Sequence, residues 1–413
     1  MNAAIRELDF PLHRVADLGN ELLGRLDALR AVDPIAWSET NQVWLVTGHA
    51  EVKAGFEATT VPLSAHRLPG AAVAQVPIAD RERLLPCIMN ATRNWLLNKD
   101  DADHARMRKL LVKAFGKPIV EGLRPHARRF IQETLDAVSS KSEIEFVSEV
   151  ARPIPARTIL RQLGLSDDLV PKLHHWSQTL NQVGNVNVPM ENLLQIEQTL
   201  LELRAVFRPE FAKRRGKPSD DFLSALVTAN EAGDKLTEDE MYGTCDIVLI
   251  AGHDTTTNTM SLSAAALAQH PEACQYIRQH PEHAGNVVME LSRNVSMSTA
   301  MGRRVAKDFN WNGHDMKENQ IVLLFQGGAN RDPAVYANPG VLDFTRSQDQ
   351  NLAFAAGAHH CIGHLLAKMQ LAEFFPEFLR RFDIEMLDEK LIFGPTMGFR
   401  GLDKLRLRLH PRN

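Results

Sequence analysis

The chain has 413 residues, 44% of them hydrophobic and 24% charged, with 47 Lys and Arg against 51 Asp and Glu. That balance describes a globular protein with a sizeable core. The net charge of −4 excludes a whole-protein electrostatic attraction for nucleic acid, leaving only a local basic patch open. No run approaches the roughly 18 apolar residues that span a bilayer. The N-terminal stretch from Met1 to Pro11 carries Arg6, Glu7 and Asp9 where a signal peptide needs an apolar core, so a cytoplasmic location is expected. Length alone suggests two or three domains, yet one large domain around an embedded cofactor fits equally well. Cys87, Cys245, Cys274 and Cys361 form no close pair and do not read as a disulfide framework.

In chain order, Gln42 to Val46 reads as a short strand, and Gly48 offers a turn before a helix around Ala50 to Phe56. Between Val61 and Asn90 come Pro62, Pro69, Gly70, Pro77 and Pro86, which predict a long irregular loop of the kind usually tied to function. Helical patterning dominates from about His104 to Gln269, with interruptions at Pro118, Pro153, Pro155, Pro171 and Pro189. Arg214-Arg215-Gly216-Lys217-Pro218 reads as a polar connection. The clearest helix start is Thr237, which can cap. Glu240 completes a capping box, and the acids Glu238 to Glu240 suit the positive end of the dipole. This helix runs through Met241, Ile247, Val248, Ile250 and Met260 to about Leu267, long enough to cross a protein interior. A further helix covers Pro281 to Asn294, and strand-like runs follow at Arg304 to Ala306 and Gln320 to Phe325. After a Gly- and Pro-punctuated stretch from Gly327 to Gly340, a last long helix begins near Cys361. The expected class is mainly α with a minor β region near both ends.

The segment Phe354-Ala355-Ala356-Gly357-Ala358-His359-His360-Cys361-Ile362-Gly363 carries the strongest chemical signal. Ile362, Leu365, Leu366 and Met369 recur at helical spacing, placing Cys361 just before or at a helix N-terminus. Helix-end N–H groups and the dipole favour a thiolate there. Gly357 and Gly363 let backbone pass close to a flat ligand. Two plainer readings compete: a buried free cysteine, the usual fate of a lone thiol, and a zinc site using His359, His360, Cys361 and His364. Zinc would want a matching ligand pair elsewhere, and none of the other cysteines sits in such a cluster.

The segment resembles the signature of the cytochrome P-450 family, Phe-x-x-Gly-x-His-x-Cys-x-Gly, at every fixed position. Ala355 departs from a glycine common there. The resemblance implies a single large domain, residues 1–413, folded around a buried haem b (iron protoporphyrin IX), with no fused reductase. It makes Cys361 the axial iron ligand, puts His359 on a haem propionate, makes Phe354 a shield for the sulfur, and places Gly363 beside the cofactor.

Further segments match the family in order. His104 and Arg108, four apart on one helix face, can reach a single anion together and correspond to a propionate-binding pair. Ala251-Gly252-His253-Asp254-Thr255-Thr256 is a poor composition for a buried helix interior. Its threonine hydroxyls can bond to carbonyls and open the ladder into a groove. It resembles the oxygen-activation motif, with Asp254 and Thr255 as an acid–alcohol pair serving the proton delivery that O–O cleavage needs. Glu290 and Arg293 match a buried structural pair tied to the segment ahead of the thiolate loop, here through Arg346. The usual prolines are missing after Arg293. In Met301-Gly302-Arg303-Arg304-Val305, ungapped counting to Asp308 selects Arg303 as a further propionate ligand, with Arg304 the alternative. Ala329 to Pro333 matches a structural turn, and Gly398 to Leu402 the terminal hairpin.

The implied activity is monooxygenation: one oxygen atom from O2 enters a hydrophobic small organic substrate, and the other becomes water. Electrons would come from a ferredoxin and an NAD(P)H-dependent ferredoxin reductase. Arg106, Arg108, Lys109 and Lys113, with Lys368, could give a basic docking face. The pocket walls would be the Val61 to Asn90 loop, the region Asn181 to Glu191, Ala251, Ser298-Thr299 and Thr396-Met397, mostly apolar or small. Rival readings are a peroxide-driven or rearranging haem-thiolate enzyme, and a non-catalytic haem sensor or carrier.

Overall fold

The computed structural model describes residues 3–66, 72–73, 75–185, 188–231, 234–394 and 398–412. Strands β1 (Ile35–Ser38) and β2 (Val43–Val46) form an antiparallel hairpin in which Trp37 faces Trp44, their rings edge to face at 5.1 Å. Helix α1 (His49–Glu57) begins directly after Gly48, and the two-residue β3 (Leu63–Ser64) follows. Where an irregular loop is expected, the chain instead forms α2 (Ile78–Leu84) and α3 (Pro86–Asn94). The prolines are the reason for the difference. Pro77 precedes the first turn of α2 and Pro86 is the first residue of α3, positions where a missing N–H costs nothing and the fixed φ suits a helix.

Then come α4 (Asp101–Leu111), α5 (Lys117–Val138), β4 (Glu143–Glu145), α6 (Pro153–Leu163), α7 (Val170–Asn181) and α8 (Met190–Gly216). Pro118, Pro153, Pro155, Pro171 and Pro189 lie in first turns or at an N-cap, as interruptions should. Pro125 and Pro209 sit inside α5 and α8 without ending them. The stretch from Arg214 to Gly216 is not a polar connection but the last turn of α8. Arg214 is buried there and pairs with Asp221 at 2.8 Å and with Glu210. Helix α9 (Glu238–Ala268) opens with the expected reciprocal cap: Thr237 N–H donates to the Glu240 carboxylate at 2.9 Å, and Glu240 N–H donates to Thr237 Oγ1 at 3.1 Å. Among the later elements are α10 (Pro271–Gln279), α11 (Ala284–Val295), β5 (Met301–Val305), β6 (Ile321–Leu324), α12 (His364–Arg381), β7 (Phe382–Met386), β8 (Ile392–Phe393), β9 (Leu402–Lys404) and β10 (Arg406–Pro411).

The chain divides into two compact units. One comprises Met1–Ser64, Arg124–Ile154 and Thr255–Asn413; the other comprises Ala65–Leu123 and Pro155–Asp254. The first holds a five-stranded sheet in the order β1-β2-β6-β5-β3, antiparallel except for β2 against β6, and a three-stranded sheet β7-β10-β4. Its helical core includes Phe374 stacked on Phe378 at 5.1 Å, with Phe146 5.5 Å from Phe378. In the second unit Phe207 stacks on Phe211 at 6.0 Å, and Tyr242 lies 5.3 Å from Phe211.

Glu290 and Arg293, one turn apart on α11, are both fully buried and paired at 2.8 Å. Arg293 Nη1 donates to the carbonyls of Asn330 (2.8 Å) and Pro339 (2.9 Å). Glu290 accepts from Asp343 N–H (3.1 Å) and Gln348 Nε2 (3.2 Å), and Arg346 Nε lies 3.5 Å away, an ionic contact rather than a directed hydrogen bond. The irregular chain leading toward Cys361 therefore hangs on this pair. Glu290→Ala would strand a buried guanidinium and should cost about 3–5 kcal/mol in denaturant unfolding. A loss below 1 kcal/mol would show that the pair is dispensable.

Candidate active site

In the first unit the segment from Phe354 to Cys361 is a closed loop. Cys361 N–H donates to the Phe354 carbonyl at 2.9 Å, and the single 3-10 turn Gly357–His359 fills the interior of the loop. Gly357 has φ +67°, and a Cβ there would come within 2.8 Å of the Phe56 carbonyl oxygen. Both the left-handed backbone and the close approach to α1 therefore demand glycine. Ala355 also sits at φ +59°. The departure from the family's glycine thus falls at a left-handed position, where an L side chain costs about 1–2 kcal/mol. Helix α12 begins at His364, three residues after Cys361, and His364 Nδ1 lies 2.9 Å from the Cys361 carbonyl oxygen.

Cys361 is partly exposed, whereas Cys87, Cys245 and Cys274 are buried. Burial pushes the Cys87 and Cys274 thiols up to about 11 and Cys245 well above its usual value, so these three stay protonated and inert. On α12 the Lys368 ammonium lies 5.4 Å from the Phe354 ring centroid. Burial lowers its pKa, and the nearby Cys361 sulfur opposes that shift. The donors of His359, His360, Cys361 and His364 do not converge on a metal position; among the described residues the one convergent group lies on another turn.

β-sheet alternation separates the two arginine candidates. Arg303 is 5% exposed, with its guanidinium 5.8 Å from the Phe56 ring, the residue whose carbonyl abuts Gly357. Arg304 points to the opposite face and donates to the Asn319 carbonyl at 2.8 Å. Ser298 and Thr299 are clamped to the tail: Ser298 bridges to Phe399, and Thr299 N–H donates to the Gly398 carbonyl at 3.0 Å. The Thr299 hydroxyl is buried with no hydrogen-bond partner among the described residues. Thr396 and Met397 lie outside the described residues.

In the second unit His104 is buried and Arg108 half-buried, one turn apart on α4. Arg106 on the same helix is ion-paired with Glu240, which removes it from the expected basic docking face. Just ahead of α4, Trp95 keeps a buried indole N–H that no described residue accepts. On α9, Ala251 is exposed and His253 fully buried. A Cβ at Gly252 would lie 2.7 Å from Ile159 Cδ1, so close packing of α6 explains this glycine. The helix continues unbroken through residues 251–256, contrary to the expected opening of its ladder. The hydroxyl back-bonds that occur, such as Thr259 Oγ1 to the Thr255 carbonyl at 2.8 Å, are accommodated without a break.

Asp254 is held by side chains that the sequence alone does not link to it. Ser177 Oγ donates to its carboxylate at 2.7 Å, Asn181 Nδ2 donates beside it, and His253 Nδ1 lies 2.9 Å away. Burial would raise the Asp254 pKa, but contact with His253 and Ser177, and the charge of His174, hold it below the usual carboxylate value. The spacing of Ser177 and Asn181 along α7, among the buried Leu173, Trp176 and Leu180, is the only sequence signal for them.

These residues fit haem. A Cβ at Gly363 would meet no atom of the described residues within 4 Å, so their packing does not demand the glycine two residues after Cys361, whereas a flat ring against the loop would. In the same unit as the loop, the buried guanidinium of Arg303 is a donor of the kind anionic propionates take. The fold and the loop together define a haem-thiolate oxidoreductase. The cytochrome P-450 family model matches residues 79–399, and the chain belongs to that family, whose members bind haem b and act as monooxygenases.

The chain is 29% identical over 382 residues to the biotin biosynthesis cytochrome P-450 of Bacillus subtilis (strain 168), covering 92% of this chain and 94% of that one. It is 27% identical over 377 residues to 6-deoxyerythronolide B hydroxylase of Saccharopolyspora erythraea, covering 89% and 90%. Among solved structures, P-450BioI in complex with hexadec-9Z-enoic acid ligated acyl carrier protein matches with a TM-score of 0.86 at 28% identity, over 96% of this chain and 99% of that one. The strained position in the loop gives a direct test. Ala355→Gly should raise unfolding stability by about 1 kcal/mol in chemical denaturation; a loss of stability would mean that the methyl group's packing outweighs the backbone cost.

Proposed function

We propose that the protein inserts one atom of O2 into a hydrophobic small organic substrate, with electrons from an external ferredoxin and its NAD(P)H-dependent reductase. The observation that carries this reading is Cys361, a partly exposed thiol three residues ahead of a helix, while the other three cysteines are buried. When bound, haem b would supply the iron chemistry that activates dioxygen, with the Cys361 thiolate as its protein ligand. Cys361 is the ligand, Phe354 covers the sulfur, and Gly363 lets the ring approach. His104, Arg108, Arg303 and His359 hold the propionates; the buried side of β5 favours Arg303 over Arg304 for that role.

Asp254, kept ionised, accepts protons from the solvent side, and Thr255 passes them inward. Ser177 and Asn181 fix the carboxylate in the meantime. This acid–alcohol pair is also what disfavours a peroxide-driven enzyme, which has no need of it. Ala251, Thr299, Thr396 and Met397 are the proposed pocket walls. An apolar substrate is supported by their small or apolar character and by the fatty acid carried in the P-450BioI complex. We place the protein in the cytoplasm, where reduced ferredoxin is available; no helix among the described residues is long and apolar enough to cross a membrane.

Cys361→Ala should abolish the haem-thiolate absorption spectrum of the reduced protein under carbon monoxide, and retention of that spectrum would refute the ligand assignment. Thr255→Ala should keep consuming NAD(P)H with redox partners while diverting the electrons to peroxide. Unchanged coupling between electron use and product would remove Thr255 from proton delivery.

A further inference from the structure

Between α10 and α11 the chain reads His280-Pro281-Glu282-His283, and Pro281–His283 form one 3-10 turn with His280 at its N-cap. With three residues per turn, side chains three apart eclipse one another. The imidazoles of His280 and His283 accordingly stack, 13° from parallel with centroids 5.2 Å apart. The carboxylate between them points back along the same edge: Glu282 Oε1 lies 3.3 Å from His280 Nδ1 and 3.9 Å from His283 Nε2. One donor atom from each residue falls within 4.8 Å of the other two. Tetrahedral zinc with bonds of about 2.0–2.1 Å separates its ligands by roughly 3.4 Å, so small side-chain shifts would seat an ion here.

A fourth residue gives this turn the character of a built site. The Tyr276 hydroxyl lies 2.8 Å from His283 Nδ1. With the hydroxyl accepting the Nδ1 proton, His283 turns its Nε2 lone pair toward Glu282, the arrangement in which an outer partner fixes the tautomer of a metal-binding histidine. Tyr276 is itself held by rings, 4.6 Å from His280 and 5.3 Å from Phe344. The side chains of His280, Glu282 and His283 are 40%, 62% and 48% exposed, so an ion reaches them from solvent and keeps water at its open position.

We propose that His280 Nδ1, the Glu282 carboxylate and His283 Nε2 bind a borderline divalent transition-metal ion, zinc(II), with Tyr276 as the positioning residue. Two imidazoles and one carboxylate suit zinc and not magnesium or calcium, which take oxygen ligands. The site is separate from the haem chemistry. By tying the end of α10 to the start of α11, the ion stabilises the helix that carries Glu290 and Arg293.

The test is calorimetric titration of zinc chloride into haem-loaded, tag-free protein, beside thermal unfolding with and without zinc. We expect one bound ion per chain to be lost in the His280→Ala/His283→Ala variant. Tyr276→Phe should bind about 10- to 100-fold more weakly, the usual consequence of losing an outer-shell partner. Zinc should raise the unfolding temperature of the wild type and not of the double variant, with the carbon monoxide spectrum unchanged in both. Equal zinc stoichiometry and affinity in the wild type and the double variant would overturn the proposal, and so would the absence of binding heat at millimolar zinc.

Discussion

A thiol binds iron as its anion, and an anion persists in a protein only where burial is incomplete and donors or positive charge face it. In this chain burial keeps three cysteines protonated, and Cys361 alone is partly exposed. What holds Cys361 in place is backbone rather than side chain. The loop closes through the Phe354 carbonyl, and Gly357 presses its bare Cα against α1 at Phe56 and Glu57. Arg303 reaches the same place from the sheet, its guanidinium over Phe56, so one aromatic residue joins the loop to a buried cation. The Glu290–Arg293 pair then fixes the irregular chain that delivers the loop. Loss of any of these would move the sulfur before it touched the chemistry.

Asp254 shows the same economy in electrostatics. An acid at that depth would ordinarily be neutral, and a neutral acid could not accept protons from the solvent side. Contact with His253 and Ser177, and the charge of His174, hold its pKa below the usual carboxylate value. Held in this way, the carboxylate has a defined position. Arg400 plays a comparable structural part at the tail. Its guanidinium donates to the Val295 carbonyl and to Asn20, and deep burial lowers its pKa to about 10.

Much of this was legible in the sequence, and the parts that were not share a cause. The capping box at Thr237 and Glu240, the helix after Gly48 and the Cys361 loop are written in residues close along the chain, so spacing suffices to read them. Proline deceived between residues 61 and 90 because it stops a helix only from within; at a first turn, as with Pro86, it starts one. Arg214 reads as solvent-facing within a basic run, yet its partner Asp221 buries it. That Arg303 is buried and Arg304 faces the other way depends on the strand register, which sets one residue on each face. Ser177 and Asn181 lie more than 70 residues from Asp254, and a polar residue on an amphipathic helix does not announce a partner that far away.

The central claim is a bond between Cys361 sulfur and haem iron, and X-ray absorption at the iron edge reads that bond directly. In haem-loaded protein the account predicts one sulfur scatterer in the first coordination shell of the iron, beside the four porphyrin nitrogens. A shell containing only nitrogen and oxygen, or a sulfur scatterer that persists when Cys361 is replaced by serine, would contradict it.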